Sequence, residues 1–332
     1  MKKLLKKRKS CNKSKMKNNI KEIARIVGVS PSTVSRVFNK RPYVKEEIVK
    51  KVLETAKKLN YSPKQTARKT NIGILIEGID TINIGEYEKM LITTLAKYML
   101  LNNFTFEIIP ISEIDFIYKH FYDVIISIIY GSETTEKIKD IKDIPIITIN
   151  NPIEGCFNIY SDHRQGIEIA VDYLFSKGHK KIGLFRRNSS SWGSEERLKG
   201  YIDGLKRNKI GFDKDLTQEE DKNGTLLQAI AKICKKSPTA IISCGEDTVI
   251  EVLYSLNLIN KKVPDDISII SFEITAISKY LVPPQTTIYQ NFEKIGETAV
   301  EMVRKIMKGE KVNKEIVIKN EIIERETVKE IK

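Results

Sequence analysis

The fold class this sequence predicts is a small all-α helix-turn-helix head followed by an α/β body of two doubly wound lobes. Charge is the first reason. Residues 1–70 hold 22 Lys/Arg against 4 Asp/Glu, a net +18, while the remaining 262 hold 35 against 39, a net −4. Periodicity is the second. Apolar residues recur at helical spacing up to residue 60, then change at Ile72 to short β-branched runs alternating with amphipathic helices. The third reason is that this alternation comes as two successive series, the pattern of two parallel sheets wrapped by helices.

Composition narrows the function classes. The chain has 332 residues, 41% apolar and 30% charged, which excludes disordered and collagen-like proteins. No apolar run approaches the roughly 18 residues of a membrane helix, so no membrane partner is expected. Four cysteines (Cys11, Cys156, Cys234, Cys244) fall in no paired spacing, as expected of a cytoplasmic chain. No CxxC, HExxH, GxSxG or P-loop pattern occurs, so metal, cofactor and catalytic residues are all expected to be absent. A polycation confined to one end points to a nucleic-acid-binding head on an ordinary globular body.

The leader, residues 1–16, begins MKKLLKKRKSCNKSK, with eight basic residues and no acid. Only Leu4 and Leu5 are apolar, too few for the core of a signal peptide. It reads as a phosphate-contacting arm, a tail without a role, or a start codon placed too early, with Met16 as the better start.

The head follows over residues 17–62. Ile20, Ile23, Ala24 and Val27 share one helical face, and Gly28 stops that helix with a sharp turn. Ser30 is suited to cap a second helix, with Pro31 in its first turn. That helix, Pro31–Phe38, turns Val34 and Val37 inward and Ser32, Thr33, Ser35 and Arg36 outward, and Asn39 closes it. A third helix spans Lys45–Asn60, with Ile48, Val49, Val52, Leu53, Ala56 and Leu59 on its stripe. Two short helices around a glycine turn, the second with small polar residues and one Arg, match a major-groove reading motif.

The body starts at Ile72. Its first series is Ile72–Ile76, Tyr87–Asn102, Phe106–Ile111, Val124–Ile129, Thr134–Ile141 and Ile144–Ile149. The second is Glu168–Lys177, Ile182–Phe185, Glu196–Asn208, Leu226–Lys235, Ala240–Ser243, Thr248–Leu256 and Ile267–Phe272. Ligands of such sheets sit beyond the carboxyl ends of the strands, here between two lobes.

Residues 19–70 resemble the head and hinge of the lactose/galactose-repressor (LacI/GalR) family, above all in IARIVGVSPSTVSRVFN and the later LNYSP. The body is similar to that family's periplasmic-binding-protein-like core through SDHRQGIEIAVDYLFSKGHKKIGLF, RLKGYIDGL, VPDDISIISFE and PPQTTIYQNFEKIGETAVEMV. The resemblance implies an N-lobe of about 72–160 and 292–318 and a C-lobe of about 161–290 and 319–330, with crossings near 160, 291 and 318. It implies that Pro31, Ser32 and Arg36 face base edges, Arg36 as a bidentate partner of guanine. Thr33, Ser35 and Asn39 would hold phosphates. It implies DNA contacts as well from Tyr61, which leads into the hinge, and from Ala67 and Arg68 within the hinge at 63–71. That hinge departs from the family: it is short, and Thr70 stands where a wedging leucine is usual, which implies less bending of the duplex.

For the cleft the resemblance implies Arg197 and Glu273 as holders of ligand hydroxyls and Gly245 as a position that usually carries a polar side chain. Asp80 would line the opposite lip. Trp192, in the loop before Arg197, is a candidate for stacking on a sugar ring, although a lone loop tryptophan is more often packing. The implied function is a cytoplasmic repressor of carbohydrate-utilisation genes. It would act as a homodimer on a pseudo-palindromic double-stranded DNA operator and answer to a sugar or galactoside. A purine corepressor or a protein partner is the nearest alternative, and a sugar-binding protein with a vestigial head is the more distant one.

Overall fold

The computed structural model describes residues 20–38, 44–59, 61, 69–77, 85–119, 122–141, 144–187, 191–219, 225–245, 248–273 and 277–332. Asn39, Ala67, Arg68 and Asp80 lie outside these residues, and Ser32, Ser35 and Arg36 are described by their backbone alone. The chain divides into two compact units, with the body's unit opening at Lys69.

The head is three helices: α1 (Ile20–Val27), α2 (Pro31–Phe38) and α3 (Glu46–Lys58). Gly28 adopts a φ of +74°, a left-handed value that favours glycine, and its N–H and that of Val29 both return to the Ala24 carbonyl. Ile23, Ala24, Val34, Val37, Val52 and Ala56 form the core, with Val29, Phe38, Ile48 and Leu59 packed around it. Leu53 is not part of this core: it is 50% exposed, because three short helices cannot cover a stripe as broad as its sequence offers.

The body holds two six-stranded sheets among its described residues. The first, in the order β11-β5-β4-β3-β1-β2, is parallel throughout. Its strands are β1 (Asn71–Ile76), β2 (Thr105–Pro110), β3 (Val124–Ile128), β4 (Ile146–Ile149), β5 (Phe157–Ser161) and β11 (Glu315–Ile318). The second, in the order β12-β10-β9-β8-β6-β7, is parallel except where β10 meets β12. It contains β6 (Ile182–Arg186), β7 (Thr217–Glu219), β8 (Ala240–Cys244), β9 (Ser268–Phe272), β10 (Thr287–Tyr289) and β12 (Glu321–Ile323).

Helices α4 (Glu86–Leu101), α5 (Phe116–Lys119), α6 (Ser132–Lys139) and α11 (Phe292–Lys308) accompany the first sheet's segments. Helices α7 (His163–Ser176), α8 (Trp192–Arg207), α9 (Leu226–Lys235) and α10 (Thr248–Leu258) accompany the second's. Strands β3, β4, β8 and β9, fully buried, and β1, buried from Ile72 on, show why these strands read as unbroken apolar runs: helices cover both faces. The chain passes between the sheets three times, after β5, between β10 and α11, and between β11 and β12. Asp162 and Asn320 tie two of these crossings together, the Asn320 amide donating to the Asp162 carbonyl at 2.7 Å and Gln165 bonding to both backbone groups of Asn320.

Two helices begin earlier than their apolar stripes suggest. α7 starts at His163, where Asp162 caps it by accepting from the Gln165 N–H at 3.0 Å. α8 starts at Trp192, where Ser191 accepts from the Ser194 N–H at 3.2 Å. Trp192 is therefore the first residue of a helix and not a loop residue. The first turns of both helices carry too few apolar residues to register as periodic, yet they deliver side chains to the cleft.

Candidate functional site

In the head, Ser30 sets the start of α2. Its hydroxyl accepts from the Thr33 N–H at 3.1 Å and shares a hydrogen bond with the Thr33 hydroxyl at 2.8 Å. Thr33 is thus engaged in the cap, while Pro31 is exposed at the same end of the helix. Ser32, Ser35 and Arg36 lie within α2, whose inward positions are Val34 and Val37. Helical geometry leaves Ser32, Ser35 and Arg36 at the other positions of that helix. Tyr61 packs against the head's core, its ring 5.6 Å from that of Phe38 and its N–H bonded to the Ala56 carbonyl.

In the body, a cavity of about 180 Å³ opens between the lobes. Tyr87, Glu88, Tyr130 and Asn150 line it from one side, and His163, Arg187, Ser191, Gly193, Ser194, Arg197, Cys244, Gly245 and Thr248 from the other. Nearly all these positions lie just past the carboxyl end of a strand or in the first turn of a helix, as the crevice rule for such sheets expects.

Of the cleft residues named from the sequence, Arg197 and Gly245 line this cavity. The Arg197 guanidinium lies 4.0 Å over the ring of Phe272, which fixes a planar fork of donors against an aromatic face. At Gly245 a Cβ would meet the Thr248 methyl at 2.7 Å. Thr248 is held there by bonds to Ser243 (2.6 Å) and the Gly245 carbonyl (2.8 Å), so its side chain occupies the space a residue at 245 would use. Trp192 stands behind the wall, edge-on to Tyr160 at 5.0 Å and to His163 at 5.5 Å.

Glu273 lies outside the lining. It is 5% exposed, and Arg325 grips both its oxygens at 2.9 and 3.0 Å while the Thr287 hydroxyl donates to it as well. An acid so engaged stabilises the junction of β9, β10 and the C-terminal segment. The sequence could not distinguish that role from ligand binding, because Arg325 lies 52 residues away.

Asn150, His163 and the Tyr130–Glu88 pair were not singled out from the sequence. Asn150 is buried with a left-handed φ of +53°, and its amide donates to the Tyr87 hydroxyl at 2.5 Å and to Gln290 at 3.4 Å. It also accepts from the Ser161 N–H at 2.7 Å. One cavity residue therefore touches two of the segments that cross between lobes. The Tyr130 hydroxyl donates to Glu88, and burial, then that carboxylate, pushes its ionisation far above the usual tyrosine range. His163 is 3% exposed, and its Nδ1 has no hydrogen-bond partner among the described residues. Burial, then the nearby Arg197 charge, holds it well below the ordinary histidine value, so it is neutral at physiological pH. Enumerating the strand ends would have found most of these positions; their geometry would not have followed.

No group of acids, histidines and cysteines that could hold a metal occurs among the described residues, and no described helix is long and apolar enough to cross a membrane.

Residues 19–64 match the model of bacterial regulatory proteins of the lacI family, and residues 171–328 match that of the periplasmic-binding-protein-like domain. The probable HTH-type transcriptional repressor ExuR of Bacillus subtilis (strain 168) is 26% identical over 94% of this chain and 98% of its own. The HTH-type transcriptional repressor PurR of Vibrio cholerae serotype O1 (strain M66-2) is 27% identical over the same shares. Among solved structures, a transcriptional regulator CelR–cellobiose complex superposes with a TM-score of 0.70 at 18% identity, covering 93% of this chain and 99% of that one. A Lac repressor dimer bound to operator and an anti-inducer gives 0.69 at 19% identity, covering 93% and 98%. At these identities the two structures speak for the fold alone.

Proposed function

Since the chain carries a LacI-family helix-turn-helix domain joined to a periplasmic-binding-protein-like domain, and its homologues are LacI-family repressors, we propose that it represses carbohydrate-utilisation genes under the control of a small sugar or galactoside. The observation that carries this reading is the cavity lined from both lobes. Hydroxyl, amide, carboxylate and guanidinium groups converge there, the set a polyhydroxylated ligand needs. At about 180 Å³ the cavity falls below the roughly 300–1,000 Å³ of sites for drug-sized ligands. That size suits a single sugar ring.

Arg36, at the head's reading helix, is the base-specifying residue, with Pro31 and Ser32 beside it and Ser35 and Asn39 on phosphates. In the cleft, Arg197 donates to ligand oxygens. Asn150 passes occupancy to the crossing segments through its bonds to Ser161 and Gln290. Ligand that binds one arrangement of the lobes better shifts their equilibrium, and operator affinity shifts by the same coupling.

The protein acts as a homodimer in the cytoplasm. Ile250, Tyr254 and Leu258 repeat at four-residue spacing along α10 and are 47%, 62% and 49% exposed. Such an apolar stripe is suited to burial against a second copy. A purine corepressor is the second reading. Tyr87 and Tyr130, edge-on with ring centroids 6.0 Å apart and both on the cavity wall, favour it because aromatic walls suit a flat base.

Fluorescence anisotropy on the chain's own upstream DNA tests both readings, with galactosides, glucosides and purines added in turn. Specific binding that one sugar class changes is expected. Arg36→Ala should cost about 1–3 kcal/mol of specific affinity, one good base contact, and leave nonspecific binding nearly unchanged. A response to purines alone would select the second reading. Binding indifferent to Arg36 would overturn sequence-specific regulation.

A further inference from the structure

The strands of the first sheet run parallel, so their amino ends share one edge of the lobe. Thr70 lies at that edge, directly before β1. Helix α11 ends at the same place, since Thr70, Phe104, Arg304, Met307 and Lys308 line one cavity of about 370 Å³. From Arg304 to Lys314 the chain carries five cations and one acid, within a body whose net charge beyond residue 70 is −4. Arg304, Lys308, Lys311 and Lys314 are exposed. Lys305 pairs with Glu301 at 2.6 Å and Lys308 reaches Glu310 at 3.5 Å, while Arg304, Lys311 and Lys314 have no carboxylate partner among the described residues.

Cations in the last turn of a helix stabilise it against its own dipole. That accounts for Lys305 and Lys308. It does not account for Lys311 and Lys314, which follow the left-handed Gly309 that ends α11. Connectivity supplies a target. Only residues 62–68 separate Tyr61 from Lys69, and those eight steps along the chain reach at most about 29 Å when fully extended. The head is therefore tethered to the body at this edge by a short connection.

We propose that this edge of the body is a second nucleic-acid contact, at which Arg304, Lys308, Lys311 and Lys314 engage phosphates of the duplex beside the sequence that the head reads. The inference rests on the DNA-binding reading above and extends it from the head to the body. It assigns these groups positioning and affinity, and no sequence preference, because phosphate contacts carry none.

The test uses the full chain and two duplexes, one trimmed to the sequence the head protects and one with natural flanks. Affinities are measured by anisotropy over a range of salt. The triple variant Arg304→Ala/Lys308→Ala/Lys311→Ala should lower the slope of log K against log salt by about 2–3 per bound protomer on the long duplex, one counterion released per lost contact. It should match the wild type on the trimmed duplex. Lys294→Ala, at the other end of α11, should match the wild type on both. A triple variant with wild-type slope and affinity on the long duplex would overturn this inference alone, as would an equal loss on both duplexes. A wild type without specific binding to either would overturn the regulator reading beneath it.

Discussion

The head and the body build their interiors over different distances along the chain. The head's buried residues run only from Ile23 to Ala56, and neighbouring helices supply all of them. The first lobe's core gathers residues from Ile72 to Ile318, and the second joins Ile167 to Ile288 with Ile322 and Val328 packed against it. A core made from one short segment leaves its whole pattern in that segment. A core made from distant segments leaves only strand and helix periods, with the pairing unstated. The same contrast holds for function: the reading helix α2 is one continuous stretch, whereas the cavity draws on positions from Tyr87 to Thr248.

The contrast can be broken most directly at its strongest long-range contact. Arg325→Met should leave Glu273 buried and unpaired and destabilise the body by about 3–5 kcal/mol. Calorimetry should show the body's transition fall while the head's stays in place; a common fall of both would mean the two units are one cooperative fold. Ile23→Ala is the reciprocal test, costing about 2–5 kcal/mol in a core too small to absorb it. DNA binding should disappear while the cleft still binds ligand, as read by titration calorimetry.

Ser30→Ala sharpens the local side of the contrast. Removing the cap of α2 should cost about 1 kcal/mol, visible as an earlier loss of the head's helical signal in urea. The last and smallest effect concerns pH. The unfolded chain's histidines titrate near about 6.5, whereas burial holds His163 and His179 lower in the folded body. Below about 6.5 the unfolded state therefore binds more protons, so the body's stability is full at neutral pH and falls from pH 7 toward pH 5. Urea midpoints at the two pH values should show this, and His163→Gln should flatten it. An unchanged dependence in that variant would remove His163 as the cause.

Legibility followed distance in particular cases. Gly28, Ser30 and Pro31 announce the turn and the cap because each satisfies a backbone need within four residues of itself. The strands β1, β3, β8 and β9 announce themselves because burial on both faces demands unbroken apolar runs. Leu53 shows the limit on the apolar side: a helical stripe states what can be buried, and the neighbours decide what is. Glu273 shows it on the polar side, since a strand-end acid looks the same before and after Arg325 is brought to it.

By itself the sequence determined the division into a basic head and a near-neutral body, the helix-turn-helix, the alternation of strands and helices, and the resemblance to one family of regulators. All of these are set by charge, by period, or by turn chemistry between close neighbours. Tertiary structure alone decided that His163 is buried and neutral, that Asn150 links the cavity to two crossing segments, and that Arg304 and Lys308 at the end of α11 come to lie beside Thr70. Those facts depend on which distant segments the sheet order brings side by side, and neither period nor local charge specifies that order.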